Sequence, residues 1–290
     1  MATIHLWGVD GSPSLISPES IALFWLVNTF EIECTVVFSN NAHLSPREEL
    51  PLYLGEDGSA AYEYQEIVEL LLARELSLEE RSLLCWAAER CGELSDYQLY
   101  INRKNYEQYT RRVFSQLLPW PLWYNSPVQG RERARRRCGV GAAPAPAAAP
   151  ARDAEKELAQ HSKTLQVTQE QRARDEKALA DVAAEMEYTA ALDRALQPWI
   201  AARGELGELG PAELLLGAHL YVQQQLPDGA RVTTHLRAHY PALCDGLLRA
   251  CVERALALRA TAVAVRAPTS AEAPSVPRAL YRYVASSWTT

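Results

Sequence analysis

The chain has 290 residues, a formal net charge of −7, 48% hydrophobic and 22% charged residues. That is the balance of an ordinary folded protein, long enough for one large domain or two smaller ones. No apolar run reaches the roughly 18 residues a membrane-crossing helix needs; the best candidate, Leu247 to Val265, is broken by Arg249, Glu253, Arg254 and Arg259. The charge is unevenly placed: residues 1–100 hold 17 acids and four basic residues, net −13, whereas residues 103–137 hold nine basic residues and two acids, net +7.

The opening, MATIHLWGVDGSP, has neither a basic region followed by an apolar one nor an Arg-rich amphipathic pattern, so neither a secretory leader nor a matrix presequence is expected. Ile4 and Leu6 mark a first strand, ended by Gly8 and the turn DGSPS, in which Ser12 and Ser14 read as turn residues beside Gly11 and Pro13. Ser17 is a good N-cap and Pro18 a good first helical residue, so a helix is predicted to about Phe30. The β-branched run from Cys34 to Ser39 predicts a second strand, which makes a βαβ unit with a parallel pair. Leu50 to Leu54 and Ala60 to Glu63 predict a third and a fourth strand joined through the turn GEDG, and a helix resumes near Tyr64.

From Ser77 onward the pattern is helical, with no strand signal. Ser77 and Glu80 form a capping box ahead of the stripe Leu83, Leu84, Ala87 and Cys91. The run from Asp96 to Asn125, DYQLYINRKNYEQYTRRVFSQLLPWPLWYN, carries eight aromatics, a third of the chain's total in about a tenth of its length. Tyr106, Tyr109, Val113 and Leu117 share one helix face, and Pro119 and Pro121 end that helix. A short basic helix to Cys138 follows, then an Ala/Pro-rich loop at 139–152. Asp153 is placed to cap a long helix whose stripe, Leu179, Val182, Met186, Asp193 and Leu196, predicts a partly projecting element, interrupted at Pro198 and Gly204. Further helices are expected from Pro211 to the turn LPDG, and from about Thr234 or Pro241 to Val265; the segment Ala279–Trp288 is expected to dock as a short helix.

Signatures of chemistry are sparse. There is no GxGxxG after the first strand, no GxxxxGK[ST], no HExxH and no GxSxG. His235 and His239 stand at i,i+4 without an evident third ligand, and the six cysteines form no CxxC pair, so buried free thiols are expected at Cys85, Cys91, Cys244 and Cys251. No catalytic residue, cofactor or metal site is predicted. The informative cluster is Arg131, Arg133, Arg135, Arg136 and Arg137. In an acidic protein without interleaved exposed aromatics, these point to lipid head groups, an acidic protein or simply a solvated helix face rather than nucleic acid. Because a loop follows directly, this cluster is expected to face outward, while Arg103, Arg111 and Arg112, on the aromatic helix, are expected to have internal roles. Tyr97, Tyr100, Trp120, Trp123 and Tyr124 join the five arginines as partner or lipid-surface candidates, since aromatics are favoured at interfaces.

The run from Asp96 to Asn125 with its Arg-rich extension closely resembles the metaxin-like large accessory subunit of the fungal mitochondrial sorting and assembly machinery. HLWGVDGSPSLISPESIALFWLV near the start, VVFSNN at 36–41, and WIAAR and LYVQQQLPDG within 199–229 agree with it in the same order. The predicted element order also resembles glutathione transferases, with Pro51 at the place of that family's cis-proline. The resemblance implies an α/β thioredoxin-like domain over residues 1–75 and an all-helical domain over 76–290 in a transferase-like architecture. It also implies a peripheral, non-enzymatic role on the cytosolic face of the mitochondrial outer membrane. The implied partners are a membrane-embedded β-barrel assembly subunit, a second transferase-like subunit, an outer-membrane translocase receptor and β-barrel precursors, with only indirect contact with the membrane surface. The alternative is a glutathione-dependent enzyme. Glu63 is followed by Tyr64 where that family has a serine, and an acidic first hundred residues repel an anionic thiol.

Overall fold

The computed structural model describes residues 2–140, 163–204, 209–257 and 264–277. Strand β1 (Thr3–His5) leads into the hairpin β2 (Gly8–Val9) and β3 (Ser12–Pro13), whose turn residues Asp10 and Gly11 both have positive φ. Ser12 and Ser14 thus lie in and just after a tight hairpin, as their turn chemistry predicts. Helix α1 (Pro18–Thr29) is capped by Ser17, whose Oγ accepts from the Ser20 amide. Strand β4 (Thr35–Val37) runs parallel to β1, in register Ile4 to Val36. On the other side of β1 lie β5 (Leu52–Leu54) and β6 (Ala60–Ala61), both pairings antiparallel, entered through a cis Leu50–Pro51 bond.

Helix α2 (Tyr64–Leu72) follows, then α3 (Leu78–Trp86), where Ser77 and Glu80 form the reciprocal capping box. Wide turns join α3 to α4 (Gly92–Asp96), α5 (Arg103–Asn105) and α6 (Arg111–Leu117), and the run bends at Asn102, whose side chain recaps it at the Asn105 amide. Leu118 is extended, as a residue before proline must be, and α7 (Leu122–Arg137) starts after a cis Trp120–Pro121 bond. Helix α8 (Lys163–Arg203) passes through Pro198 and stops at Gly204, which has positive φ; only the second of the two expected interruptions occurs. The expected cap at Asp153 and the segment Ala279–Trp288 lie outside the described residues.

Helix α9 (Pro211–Gln225) is buried on nearly all sides and packs on α1. Trp25 meets Tyr221 edge-on at 5.4 Å, and Gly217 lets the Cys251 thiol approach. Helix α10 (Gly229–His239) is a unit of its own, and the last described helix ends as α11 (Arg249–Ala257). One core runs from Ile4, Leu26 and Val36 of the sheet unit to Leu196, Trp199, Leu215 and Leu220 of the helical unit.

The expectation of no strand after Ser77, with helix to Val265, is overturned by β7 (Ala264–Arg266), which pairs in parallel with β4 and completes the order β6-β5-β1-β4-β7. The segment is tied down beyond the ladder. Asn41 donates to the carbonyls of Glu272 and Ala273, and Arg266 holds Glu272 with two hydrogen bonds. Arg266 and then the Thr269 amide hold the Glu272 carboxyl down at about 2. A depressed carboxylate stabilises the fold above its ordinary pKa and stops doing so as pH falls through its folded value. Glu272→Gln is therefore expected to cost about 1 kcal/mol at pH 7, after discounting for solvent screening. In thermal melts the gap from wild type should close between about pH 4.5 and 2; a gap unchanged over that range would contradict this role.

Candidate functional site

A cleft of about 1000 Å³ opens between the sheet unit and the helices. Trp7, Glu19, Pro51 and Glu63 line it from the sheet side; Ser95, Asp96, Arg137 and His219 line it from the helices. Pro274 and Val276, beyond β7, complete its lining. Helix α7 closes against α4 because two glycines permit it: a Cβ at Gly130 would meet the Tyr100 ring at 2.6 Å, and one at Gly92 would meet the Arg137 guanidinium at the same distance.

Arg137 is the anchor of that wall. Its Nη1 donates to Asp96 at 2.9 Å, and its Nη2 donates to the carbonyls of Ala88 and Glu89. Burial nevertheless pushes Asp96 up to about 6, against the pull of Arg137, and burial also raises Glu19. Burial and then Arg137 hold His219 down at about 3, so this imidazole is neutral at physiological pH.

The five arginines are divided by the fold. Arg131 lies over the Tyr106 ring at 4.4 Å, Arg133 pairs with Glu49 of the sheet unit at 3.0 Å, and Arg137 pairs as described. Arg136 meets only Glu132 on its own helix, and Arg135 has no ion pair among the described residues. The cluster faces outward as expected: Arg133, Arg135, Arg136 and Arg137 are exposed and only Arg131 is half-buried, although Arg133 and Arg137 also find acids. The expectation for the other set is reversed: Arg103 is exposed and pairs with Glu107, and Arg111 and Arg112 are exposed without an ion pair among the described residues. Sharing a helix with the aromatic stripe did not turn these three inward, because helical phase decides which side chains face the core.

The aromatics divide in the same way. Tyr97 stacks on Tyr188 at 5.5 Å, Tyr100 packs against Gly130, and Trp123 is half-buried. Trp120 and Tyr124 are exposed, at 74% and 56%, and Val128 follows Tyr124 one turn later. Leu179, Val182 and Met186 of α8 are exposed, while Tyr188, Leu192 and Leu196 are buried, so this helix docks at its C-terminal end and projects before it. Asp193 accepts from Tyr240 and pairs with His235, which stacks on His239 at 4.5 Å. Among the thiols, Cys91 and Cys251 are buried as expected, but Cys85 is exposed and Cys244 intermediate.

For thiol chemistry the first-strand serines matter, and neither Ser12 nor Ser14 lines the cleft. Tyr64, at the place of the transferase serine, is buried and donates its hydroxyl to the Pro211 carbonyl at 3.0 Å. The cleft offers binding groups instead: the neutral imidazole of His219, two arginines each held by a carboxylate, and an excess of acids. The sequence reading missed Glu19, Asp96 and His219, which meet only through tertiary packing and carry no local spacing signal.

A family model described as an outer mitochondrial membrane transport complex protein, Tom37, matches residues 20–131, and the model of the Tom37 C-terminal domain matches residues 147–287. The chain belongs to the Tom37 family. It is thereby a protein of a transport complex of the outer mitochondrial membrane, in accord with the metaxin-like resemblance. No curated protein matches it closely in sequence. Among the described residues of this Tom37 family member, no helix is long and apolar enough to cross a membrane.

The two arginine groups make a stability test. Arg137→Glu leaves Asp96 facing a like charge and is expected to cost roughly 2 kcal/mol in urea unfolding. The double change Arg135→Glu and Arg136→Glu should stay within about 0.5 kcal/mol of wild type. Equal effects of the two would show that Arg137 does not anchor α7.

Proposed function

We propose that this Tom37 family member is a non-enzymatic, cytosol-facing subunit of the sorting and assembly machinery. In this reading it has the transferase-like architecture, with a thioredoxin-like domain built on residues 1–75, to which strand β7 is added, and a helical domain made of the remaining helices. It caps the membrane-embedded β-barrel subunit beside a second transferase-like subunit, assists maturation and release of β-barrel precursors, and links the machinery to the outer-membrane translocase. Its mechanism is differential binding: a cap that prefers the assembled state stabilises it, and a tether holding two machines together raises their effective concentration.

The observation that carries the reading is the face formed by α6 and the start of α7. Trp120, at the turn before α7, and Tyr124 and Val128, one turn apart on α7, stand exposed; α7 also carries Arg135, and α6, which packs on it, carries the exposed Arg111 and Arg112, without an ion pair among the described residues. Aromatics with arginines are the composition of interface hot spots. A protein partner with an acidic rim suits this face. The glutathione reading has nothing comparable in support, since the cleft carries more carboxylates than guanidinium groups.

Replacing Trp120 and Tyr124 together by Ala is expected to leave the melting temperature within a few degrees of wild type. Recovery of partner subunits on purification from native membranes should fall at least tenfold, as for two hot-spot residues. Arg111→Glu with Arg112→Glu should weaken recovery most at low salt, where screening is least. Full recovery with both sets of changes would overturn the assignment of this face; retention on protein-free anionic vesicles would assign it to lipid.

A further inference from the structure

We propose that the cleft between the sheet unit and the helices is a binding site for a short basic peptide segment, with His219 donating to a peptide carbonyl and Glu19 receiving a cationic side chain. The inference is independent of the α6–α7 face and of its partner.

The first support is a hydrogen-bond chain that fixes the imidazole. Tyr188 donates to Gln223 Oε1 at 2.7 Å, and Gln223 Nε2 donates to Ser95 Oγ at 3.0 Å. Ser95 keeps its own proton to give, and His219 Nδ1 lies 2.9 Å from its Oγ; we assign the hydroxyl as donor and Nδ1 as acceptor. A neutral imidazole that accepts at Nδ1 carries its proton on Nε2. That Nε2–H has no partner among the described residues, in a ring only 1% exposed that lines the cleft. An unpaired buried donor is unfavourable and calls for an acceptor; a main-chain carbonyl in the cleft supplies one.

The second support is charge. Five carboxylates line the cleft, those of Glu19, Glu48, Glu49, Glu63 and Asp96, against the two guanidinium groups of Arg133 and Arg137, a formal −3. Arg133, Arg47 and Arg137 engage Glu49, Glu63 and Asp96. Glu19 has no ion pair among the described residues and takes a 3.3 Å hydrogen bond from Ser17, at the edge of the usual range, beside one from its own amide. A cleft with an acidic excess and low-dielectric walls concentrates cations and repels anions. Glutathione, with two carboxylates, is the wrong sign for it.

The third support is size and wall chemistry. About 1000 Å³ is the upper end for small-molecule sites. The walls add Trp7, Phe114 and Leu118 to the polar floor. Alternating apolar and basic side chains on an extended chain meet these requirements better than a lone amine.

The test uses the full-length chain and a fluorescein-labelled hexapeptide, Ac-LRLRLR-amide, followed by fluorescence anisotropy. Saturable binding is expected, with no competition from Ac-LELELE-amide or from glutathione. Glu19→Gln and His219→Phe should each weaken binding about tenfold. Ser126→Trp, at a half-buried cleft position on α7, should abolish it with the thermal melt unchanged, which keeps the test valid if a core variant misfolds. Binding that survives Ser126→Trp, or equal affinity for the acidic peptide, would overturn the proposal. Loss of partner recovery in the Trp120 and Tyr124 variant bears only on the other face.

Discussion

Helix α9 is the element that both units are built against. Twelve of its fifteen residues are buried, so it cannot exist as an amphipathic surface helix and must be surrounded. Helix α1 of the sheet unit covers one side, the run from α3 to α4 another, and the segment leading into α11 a third. The polar residues in it are consequences of the same enclosure. Glu213 is paired with Arg203 and caps the Gly210 amide, and Gln223 is satisfied by Tyr188 and Ser95. His219 is the exception, with one nitrogen satisfied and the other turned to the cleft that enclosure leaves between the two units.

That placement explains why the cleft is polar at its floor although the core around it is apolar. Helix α7 reaches its wall only where Gly92 and Gly130 remove side-chain bulk, and the Arg137 guanidinium fills the space opened at Gly92. An arginine with a planar fork suits that role, since it spans a carboxylate and two main-chain carbonyls at once. A lysine would hold the charge but not the three acceptors.

Local signals were legible where local chemistry decides the outcome. The Ser17 cap with Pro18, the Ser77 and Glu80 box, the turn at Gly11 and the proline stop after Leu117 all follow from single residues and their neighbours. Strand β7 was not legible, because three exposed residues have no periodicity of their own and exist as a strand only through pairing with β4. The roles of the arginines were illegible for a related reason. Arg133 and Arg137 find their acids 84 and 41 residues away, distances at which spacing carries no information. The cleft failed the same test, since Glu19, Asp96, Arg137 and His219 belong to four separate helices or their termini.

The charge partition acquires a physical meaning once the structure divides it. The basic stretch neutralises part of the acidic first hundred residues: Arg133 pairs with Glu49 across the two units, and Arg137 pairs with Asp96 within the helical one. What remains is not uniform. The cleft keeps an excess of carboxylates, while Arg111, Arg112 and Arg135 stay unpaired among the described residues, on the two packed helices joined by the turn that bears the exposed Trp120. Two surfaces of opposite sign on one small protein discriminate between occupants without fine contacts. An acidic partner drawn to α6 and α7 is repelled by the cleft, and a basic segment suited to the cleft is repelled by α6 and α7. Repulsion from the wrong site contributes to specificity as directly as attraction to the right one, so both surfaces can be occupied at once without competing.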